Sequence, residues 1–186
     1  MSDAFYTALA DSYDELFGCS DEVVGFLHDQ CPEEGVPVLD VACGTGSCAR
    51  ALAHRGLVTW GIDLSGPMVD RARALARDSG HDPERYEVRD MLEVAAHPAA
   101  PFAMVYCIGN SISHLPDSDT VARFVDATTG ALRRNDESTP RVLVLQFVDA
   151  SSLAVGQTLE LPLLEASRVR MKRVYTRTSS AQLSFD

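Results

Sequence analysis

The feature that most constrains the fold of this chain is the apolar run Val38–Val41, which continues directly into Cys43-Gly44-Thr45-Gly46. A short apolar run bounded by a turn signal is typical of a buried strand, and apolar residues at helical spacing follow from Ala49 onward. Glycine has no Cβ, so a turn with two glycines lets the backbone approach a ligand closely. The N–H groups at the start of the next helix favour anionic or polar partners. The segment therefore predicts a strand, a ligand-binding turn and a helix.

A second signal lies downstream, where the apolar run 58–62 ends in Asp63. Asp63 follows the glycine turn by about twenty residues, the spacing at which an acidic residue binds a ribose diol in nucleotide-binding α/β folds. The segment Gly44–Ala49 also fits the G-x-G-x-x-G/A dinucleotide pattern, although a single match of this kind is a weak signal. The two signals together indicate a nucleoside-containing ligand.

Predicted strands and helices alternate along most of the chain. The strands are expected at about 37–42, 58–62, 85–88, 102–107 and 142–148, and the helices through 49–53, 66–79 and 121–132. Such alternation predicts an α/β fold, a Rossmann-like, doubly wound and mostly parallel sheet with helices on both faces. Ligands bind at the carboxyl ends of the strands in sheets of this type, and Gly44, Asp63, Asp90 and Gly109 all fall at predicted carboxyl ends.

The length of 186 residues is sufficient for one domain with a buried core. We expect a helical cap at 1–35, with an amphipathic helix at 3–17, then an α/β core at 36–150 and a β-rich segment at 151–186. The chain stops within a strand-like run, so we expect a truncated chain that lacks the last strands of the sheet. A compact variant whose final hairpin is 168–186 is the alternative.

Composition excludes several classes of function. A formal net charge of -11 disfavours nucleic acid as a partner, because a nucleic-acid groove needs a basic face. No apolar run is long enough to cross a membrane, and the N-terminus lacks the features of a signal peptide, so a cytoplasmic location without a membrane partner is predicted. The oligomeric state is left open.

Five cysteines without C-x-x-C spacing argue against a zinc site and against a disulfide framework, and no metal is expected. Cys43 and Cys107 fall at the ends of predicted neighbouring strands, beside the expected ligand. We interpret both as small apolar side chains that fill space, in preference to nucleophiles.

Four segments, in this order, resemble the motifs of class I S-adenosylmethionine-dependent methyltransferases. Leu39–Gly46 resembles the first motif, and Gly61–Ser65 followed by Met68 resembles the second. Arg89–Met91 resembles the adenine-side motif after the third strand, and Cys107–Leu115 resembles the segment after strand four in the glycine and sarcosine N-methyltransferase branch. The acidic residue before the glycine turn and the later motifs fit this family better than a nicotinamide site.

The resemblance implies S-adenosylmethionine as cofactor and methyl transfer by in-line displacement, for which the protein mainly aligns the reactants. Asp63 would accept hydrogen bonds from the ribose hydroxyls, Asp90 would accept one from the adenine amino group, and Asp40 would orient the turn. The residues that the resemblance assigns to the cofactor are Tyr13, Asp40, Ala42, Cys43, Gly44, Thr45, Gly46, Asp63, Leu64, Met68, Asp90, Met91, Cys107 and Ile108. Within this set, Leu64 and Met68 would flank the adenine, and Cys107 and Ile108 would supply backbone contacts near the sulfonium.

For the methyl acceptor, the resemblance points to Asn110 as a binding residue. His114 is a candidate base, since the unperturbed pKa of histidine lies near neutrality. Tyr6 and Tyr13 are candidates for a lid over the cofactor, and the stripe Arg170–Arg177 for binding a substrate carboxylate. The expected acceptor is a small molecule that offers an amine nitrogen. The alternatives are an O- or RNA-methyltransferase, a non-catalytic cofactor-binding domain and, least favoured, an NAD-dependent oxidoreductase.

Overall fold

The structure is a computed structural model that describes residues 12–31, 35–132, 140–179 and 183–185. The chain forms two compact units, Met1–Phe147 and Val148–Asp186. Tyr6 and the first part of the helix expected at 3–17 lie outside the described residues.

The first unit contains the predicted α/β alternation. Its helices are α1 (Tyr13–Phe17), α2 (Asp21–Gln30), α3 (Ser47–His54), α4 (Gly66–Asp78) and α5 (Ser118–Leu132). Its strands are β1 (Val38–Val41), β2 (Thr59–Asp63), β3 (Tyr86–Val88), β4 (Met104–Cys107) and β5 (Val142–Leu145). Short 3₁₀ segments occur at Pro83–Arg85, Met91–Ala96 and Ser111–His114.

The five strands form one sheet in the order β3-β2-β1-β4-β5, and every neighbouring pair is parallel. This arrangement confirms the predicted fold. The chain moves outward from β1 to β2 and β3 and then returns to the other side of β1 as β4, so the strand order reverses between β1 and β4. A reversal of this kind opens a crevice at the carboxyl ends of the two strands, where ligands bind in α/β sheets.

Both faces of the sheet are buried, and this explains why its strands read as continuous apolar runs. All four residues of β1 and of β4 are buried. Leu39 and Val41 belong to one apolar cluster with Phe102 and Phe124, whereas the preceding Val38 belongs to a second cluster on the opposite face. The alternation of side chains along a strand thus supplies both cores from the same few residues.

Local signals in the sequence define the helix ends. Ser20 caps α2, where its Oγ accepts a hydrogen bond from the N–H of Val23 at 3.3 Å. Pro67 lies in the first turn of α4, where its missing N–H removes no intrahelical bond. Gly56 follows α3 with a φ of +93°, the left-handed conformation that commonly ends a helix.

The second unit contains three antiparallel strands, β6 (Thr158–Glu165), β7 (Arg170–Arg177) and β8 (Leu183–Phe185), in the order β6-β7-β8. Opposite charges face each other between β6 and β7: Arg170 pairs with Glu165 and Lys172 with Glu160, each at 2.9 Å. The guanidinium of Arg177 donates to the backbone carbonyls of Ser151 and Leu153.

These contacts weaken the expectation that the stripe Arg170–Arg177 binds a substrate carboxylate. The guanidinium of Arg173 also has a partner, because it donates to the carbonyl of Pro162 at 3.2 Å. The arginines at 170, 173 and 177 therefore already bind acceptors within the second unit.

The argument against a disulfide framework did not anticipate a single disulfide. Cys19 and Cys48 form a disulfide, with their Cα atoms 5.0 Å apart. The count and spacing of cysteines carry no information on this pair, because the two residues are 29 positions apart and meet only when α3 packs beside the start of α2. The described residues contain no cluster of metal-binding side chains, and none of their helices has the length and apolarity that crossing a membrane requires.

Candidate functional site

The ends of β1 and β2 are joined by Asp63. Its Oδ2 accepts a hydrogen bond from the N–H of Gly44 at 2.8 Å, and its Oδ1 accepts one from the N–H of Ser65 at 2.8 Å. The two motifs that the sequence placed 19 residues apart are therefore in direct contact. The carboxylate holds the glycine turn against the end of the neighbouring strand.

The glycine turn has a backbone that few other residues could adopt. Ala42, Gly44 and Gly46 all have positive φ angles, of 59°, 55° and 75°. A Cβ at Gly46 would lie 2.5 Å from Cε1 of the buried Tyr86, so glycine is required there for space as well as for conformation. The N–H of Gly46 donates to the carbonyl of Cys43 at 2.8 Å and closes the turn.

Helix α1 covers this turn. The ring of Tyr13 lies against Gly44, where an added Cβ would be 3.1 Å from Cε1 of the tyrosine. Asp14 accepts a hydrogen bond from the hydroxyl of Thr45 and forms an ion pair with Arg50, whose Nη2 lies 2.7 Å from Oδ2 of the aspartate. Arg50 also donates to the carbonyl of Thr45. As a result, Thr45 is only 1% exposed.

The sequence interpretation missed Asp14 and Arg50. Their partners lie 31 and 36 residues away, so no local pattern connects them. One signal was present: Arg50 is the only charged residue in the otherwise small and apolar run Cys48–Ala53. A charge on the buried side of a helix requires a partner, and that requirement was the available clue.

Burial controls the electrostatics beneath the turn. Burial raises the pKa of Asp40 from 3.8 to about 8, opposed by the neighbouring Tyr106 hydroxyl and reinforced by the charge of Asp63. The pKa of Asp63 is also raised by burial, while its bonds to backbone N–H groups act in the opposite direction. Asp40 lies opposite Gly61 on β2 and Tyr106 on β4, directly under the turn.

Burial likewise raises the pKa of both cysteines near the site. The pKa of the Cys107 thiol rises to about 12, and that of Cys43 rises well above its usual value. A thiol that stays protonated is a poor nucleophile. Both side chains therefore fit the predicted role of small apolar filler.

The adenine side of the expected site lies after β2 and β3. Asp90 begins the 3₁₀ segment Met91–Ala96, where its Oδ1 accepts a hydrogen bond from the N–H of Leu92 at 2.9 Å. Leu64 is 74% exposed, an unusual exposure for a large apolar side chain at a strand end. Met68 is only 1% exposed, so the position of its side chain beside an adenine stays a prediction. Met68 lies on the inward face of α4 and belongs to the core.

The loop after β4 carries the candidate acceptor residues. Asn110 has a φ of +69°, and its Oδ1 accepts a hydrogen bond from the hydroxyl of Ser113 at 2.8 Å. His114 is exposed at the end of the 3₁₀ segment, and partial burial of its ring lowers its pKa. The imidazole is therefore neutral at physiological pH and able to accept a proton.

Gln146 connects the same loop to the end of β5 by hydrogen bonds. The sequence interpretation did not identify this residue. Its Oε1 accepts a hydrogen bond from the N–H of Gly109 at 2.6 Å, and its own N–H donates to the carbonyl of Cys107 at 3.0 Å. Cys107 is fully buried, and its predicted backbone contact near a sulfonium stays a prediction. The next residue, Ile108, is half-buried and remains a candidate for such a contact.

Comparison with known sequences places this geometry among methyltransferases. The profile of the family described as "Methyltransferase domain" matches residues 38–135. The ubiquinone biosynthesis O-methyltransferase of Xylella fastidiosa (strain 9a5c) is 32% identical over 108 residues, which are 58% of this chain and 42% of that protein. The chain spans less than half the length of the curated relatives it matches first.

Comparison with solved structures supports the same fold. CalS10, an amino pentose methyltransferase from Micromonospora echinaspora solved with bound S-adenosylmethionine, superposes with a TM-score of 0.68 at 21% identity. The alignment covers 92% of this chain and 70% of CalS10. CcbJ from Streptomyces caelestis also gives a TM-score of 0.68, at 17% identity, with coverage of 100% of this chain and 80% of CcbJ. Identities this low support the fold and leave the substrate open.

Proposed function

The chain belongs to the methyltransferase domain family, within the class I S-adenosylmethionine-dependent methyltransferases, and we propose that it transfers a methyl group from this cofactor to a small-molecule acceptor. One observation carries the proposal. The hydrogen bond between Gly44 and Asp63 joins the turn expected at the methionine end of the cofactor to the carboxylate expected at its ribose.

The residues at the strand ends fit the cofactor. Each oxygen of Asp63 accepts one backbone N–H, and a carboxylate with about four lone-pair positions can still accept two ribose hydroxyls. Leu64 offers an exposed apolar surface for one face of the adenine. Asp90 uses Oδ1 to cap the 3₁₀ segment, which leaves Oδ2 directed at the amino group of the base in our proposal.

The bound cofactor supplies an activated methyl group whose transfer releases a neutral thioether, so the protein has to align the acceptor and keep it unprotonated. We assign those tasks to the loop after β4. Asn110 would bind the acceptor, and neutral His114 would remove its proton.

Within this proposal we favour an amine nitrogen as the acceptor. The support is the likeness of the segment Cys107–Leu115 to the glycine and sarcosine N-methyltransferase branch, together with a net charge of -11, which attracts cationic amines and repels nucleic acid. A phenolic oxygen is the second candidate, because curated relatives at 32–34% identity are named ubiquinone biosynthesis O-methyltransferases.

Two measurements test the proposal. Calorimetry with S-adenosylmethionine and NAD should detect binding of the first and none of the second; the reverse result would contradict the cofactor assignment. S-Adenosylhomocysteine release should then be measured with glycine, sarcosine, an amino sugar, small phenols and tRNA. Release with phenols alone would favour the second candidate, release with tRNA alone would refute a small-molecule acceptor, and binding without any release would favour a non-catalytic domain.

The role of His114 has its own test. If it is the base, His114→Gln should lower kcat about 10²-fold and leave the dissociation constant of S-adenosylhomocysteine unchanged. Ser113→Ala is a suitable control, because it alters the same exposed segment without removing a titratable group. An unchanged kcat would assign His114 a structural role only.

A further inference from the structure

Helix α1 is attached to the glycine turn by charged side chains. One oxygen of the Asp14 carboxylate accepts a hydrogen bond from the hydroxyl of Thr45, and the other forms an ion pair with Arg50 at 2.7 Å. Arg50 connects back to the carbonyl of Thr45, so the three residues form a closed ring of contacts. The side chain of Arg50 is 11% exposed and that of Asp14 is 37% exposed, so the ion pair lies at the edge of the core.

The other end of the same segment is attached covalently. Cys19, two residues after α1, forms the disulfide with Cys48 in the first turn of α3. The N–H of Cys19 also donates to the hydroxyl of Ser47 at 3.3 Å. The segment therefore has a permanent attachment at its C-terminal end and a noncovalent one at Asp14.

Between these attachments, α1 presents Tyr13 to the turn. The tyrosine ring lies over Gly44, and Gly44, Thr45 and Gly46 are all buried. A ligand that binds against the backbone of Gly44 would meet the ring of Tyr13 there. Tyr13 and Asp14 belong to the same short helix, so a displacement of α1 that breaks the contacts of Asp14 would also move the tyrosine.

We propose that Asp14 and Arg50 are positioning residues that form a releasable latch, which holds Tyr13 over the glycine turn and thereby sets the rates at which the cofactor enters and leaves. The inference rests on the proposed function, since it takes the turn to be the cofactor site. The exposure of the pair suits the role: because the carboxylate of Asp14 is partly exposed, water screens the pair and makes it weaker than a fully buried one, which permits opening. The disulfide limits the opening to the Tyr13 end of the segment.

Stopped-flow binding of S-adenosylhomocysteine to the whole chain tests the latch. Asp14→Asn removes the charge and keeps an oxygen for Thr45, and we expect it to raise both the association and the dissociation rate about fivefold. Arg50→Lys keeps the positive charge and loses the two-sided contact, so it should accelerate both rates to a smaller extent. Asp70→Asn is the matched control, because it breaks an exposed ion pair with Arg73 on α4 and should change neither rate.

A double variant separates positioning from a general loss of structure. In the Tyr13→Ala background the covering ring is gone, so adding Asp14→Asn should accelerate neither rate further. Thermal unfolding of each variant checks that the fold is kept. If Asp14→Asn raises only the dissociation rate, or accelerates binding equally with and without Tyr13, the latch is refuted.

The failure of this inference and the failure of the proposed function give different results. Binding by the unmodified chain, together with rates in Asp14→Asn that match those of Asp70→Asn, refutes the latch alone. No binding of S-adenosylhomocysteine by the unmodified chain refutes the proposed function and the latch with it.

Discussion

The two sides of the crevice between β1 and β4 are built differently. On what we term the cofactor side, residues 42–46 and 63–65, the contacts join residues far apart in the chain, as in Gly44 to Asp63 or Thr45 to Asp14. On the acceptor side, residues 108–114, side chains bond mostly to close neighbours, as in Ser113 to Asn110. The glycine turn 42–46 is mainly buried, whereas the acceptor side is mainly half-buried or exposed. Contacts between distant residues suit a site for a ligand that a whole family shares. Local contacts in an exposed loop suit a site for a substrate that varies among relatives.

The largest expected contrast is in pH dependence. The folded state holds the proton of Asp40 between its ordinary pKa of 3.8 and a pKa of about 8, so this residue makes stability fall as pH rises through that range. We expect the unfolding free energy of Asp40→Asn to rise, relative to that of the unmodified chain, by up to about 5 kcal/mol between pH 4 and pH 8. Above pH 8 the difference should stay constant. Urea unfolding at a series of pH values measures the difference.

Asp117, three residues beyond the acceptor side, gives a pH dependence of the opposite sign. Hydrogen bonds from Thr120 lower its pKa, so it stabilises the fold above its ordinary pKa and this contribution is lost as pH falls. Asp117→Asn should therefore be less stable than the unmodified chain at neutral pH and equal to it in acid. The same trend in both variants would contradict the assignment of Asp40 to a buried neutral carboxyl.

The glycines give the next contrast, because Gly46 and Gly109 have nearly equal φ angles, of 75° and 74°. Gly109→Ala meets no atom within 4 Å and should cost about 1 kcal/mol of unfolding free energy for the left-handed backbone alone. Gly46→Ala adds a collision with Tyr86 and should cost about 3 kcal/mol. Equal costs in urea denaturation would show that the packing of Tyr86 is looser than described.

The third contrast concerns cofactor affinity. Asp63→Ala removes the carboxylate that holds Gly44 and is proposed to bind the ribose, and it should weaken S-adenosylhomocysteine binding by about 2 kcal/mol, roughly 30-fold. Asp90→Ala, at the adenine end, should cost about 1 kcal/mol. Calorimetry on both variants provides the measurement, and unchanged affinity in Asp63→Ala would refute the ribose role.

The smallest expected effect lies on the acceptor side. Asn110→Gly removes the carboxamide while tolerating the φ of +69°, and it should raise KM for the acceptor about fivefold while cofactor affinity stays the same. Ser113→Ala, which removes only the partner of the carboxamide, should have a weaker effect. A loss of cofactor affinity in Asn110→Gly would contradict the separation of acceptor binding from cofactor binding.

The sequence was sufficient to predict the parallel sheet, because strands that are buried on both faces can be recognised in the sequence as continuous apolar runs. It also predicted that Gly44 and Asp63 would meet, since motif spacing in a βαβ unit determines where strand ends lie. The assigned roles of the individual site residues stay predictions.

The contacts that sequence reasoning missed share one property: they join groups that lie far apart in the chain and meet only in the folded structure. The disulfide of Cys19 with Cys48, the pairing of Asp14 with Arg50 and the bond from Gly109 to Gln146 each span between 29 and 37 residues. The burial of Met68 likewise depends on packing, because the rotation of α4 turns it toward the core. Periodicity identifies an apolar face of a helix, but which of its residues reaches the end of the sheet follows from packing alone.

Because one oxygen of Asp63 accepts a hydrogen bond from the amide of Gly44, the two ends of the proposed pocket are structurally coupled. A nucleoside that engages this carboxylate would stiffen the glycine turn before any amino-acid tail arrived. We therefore expect adenosine and methionine, offered as separate fragments, to assist each other's binding. The binding free energy of the complete ligand would then exceed the sum of the binding free energies of its two fragments measured separately.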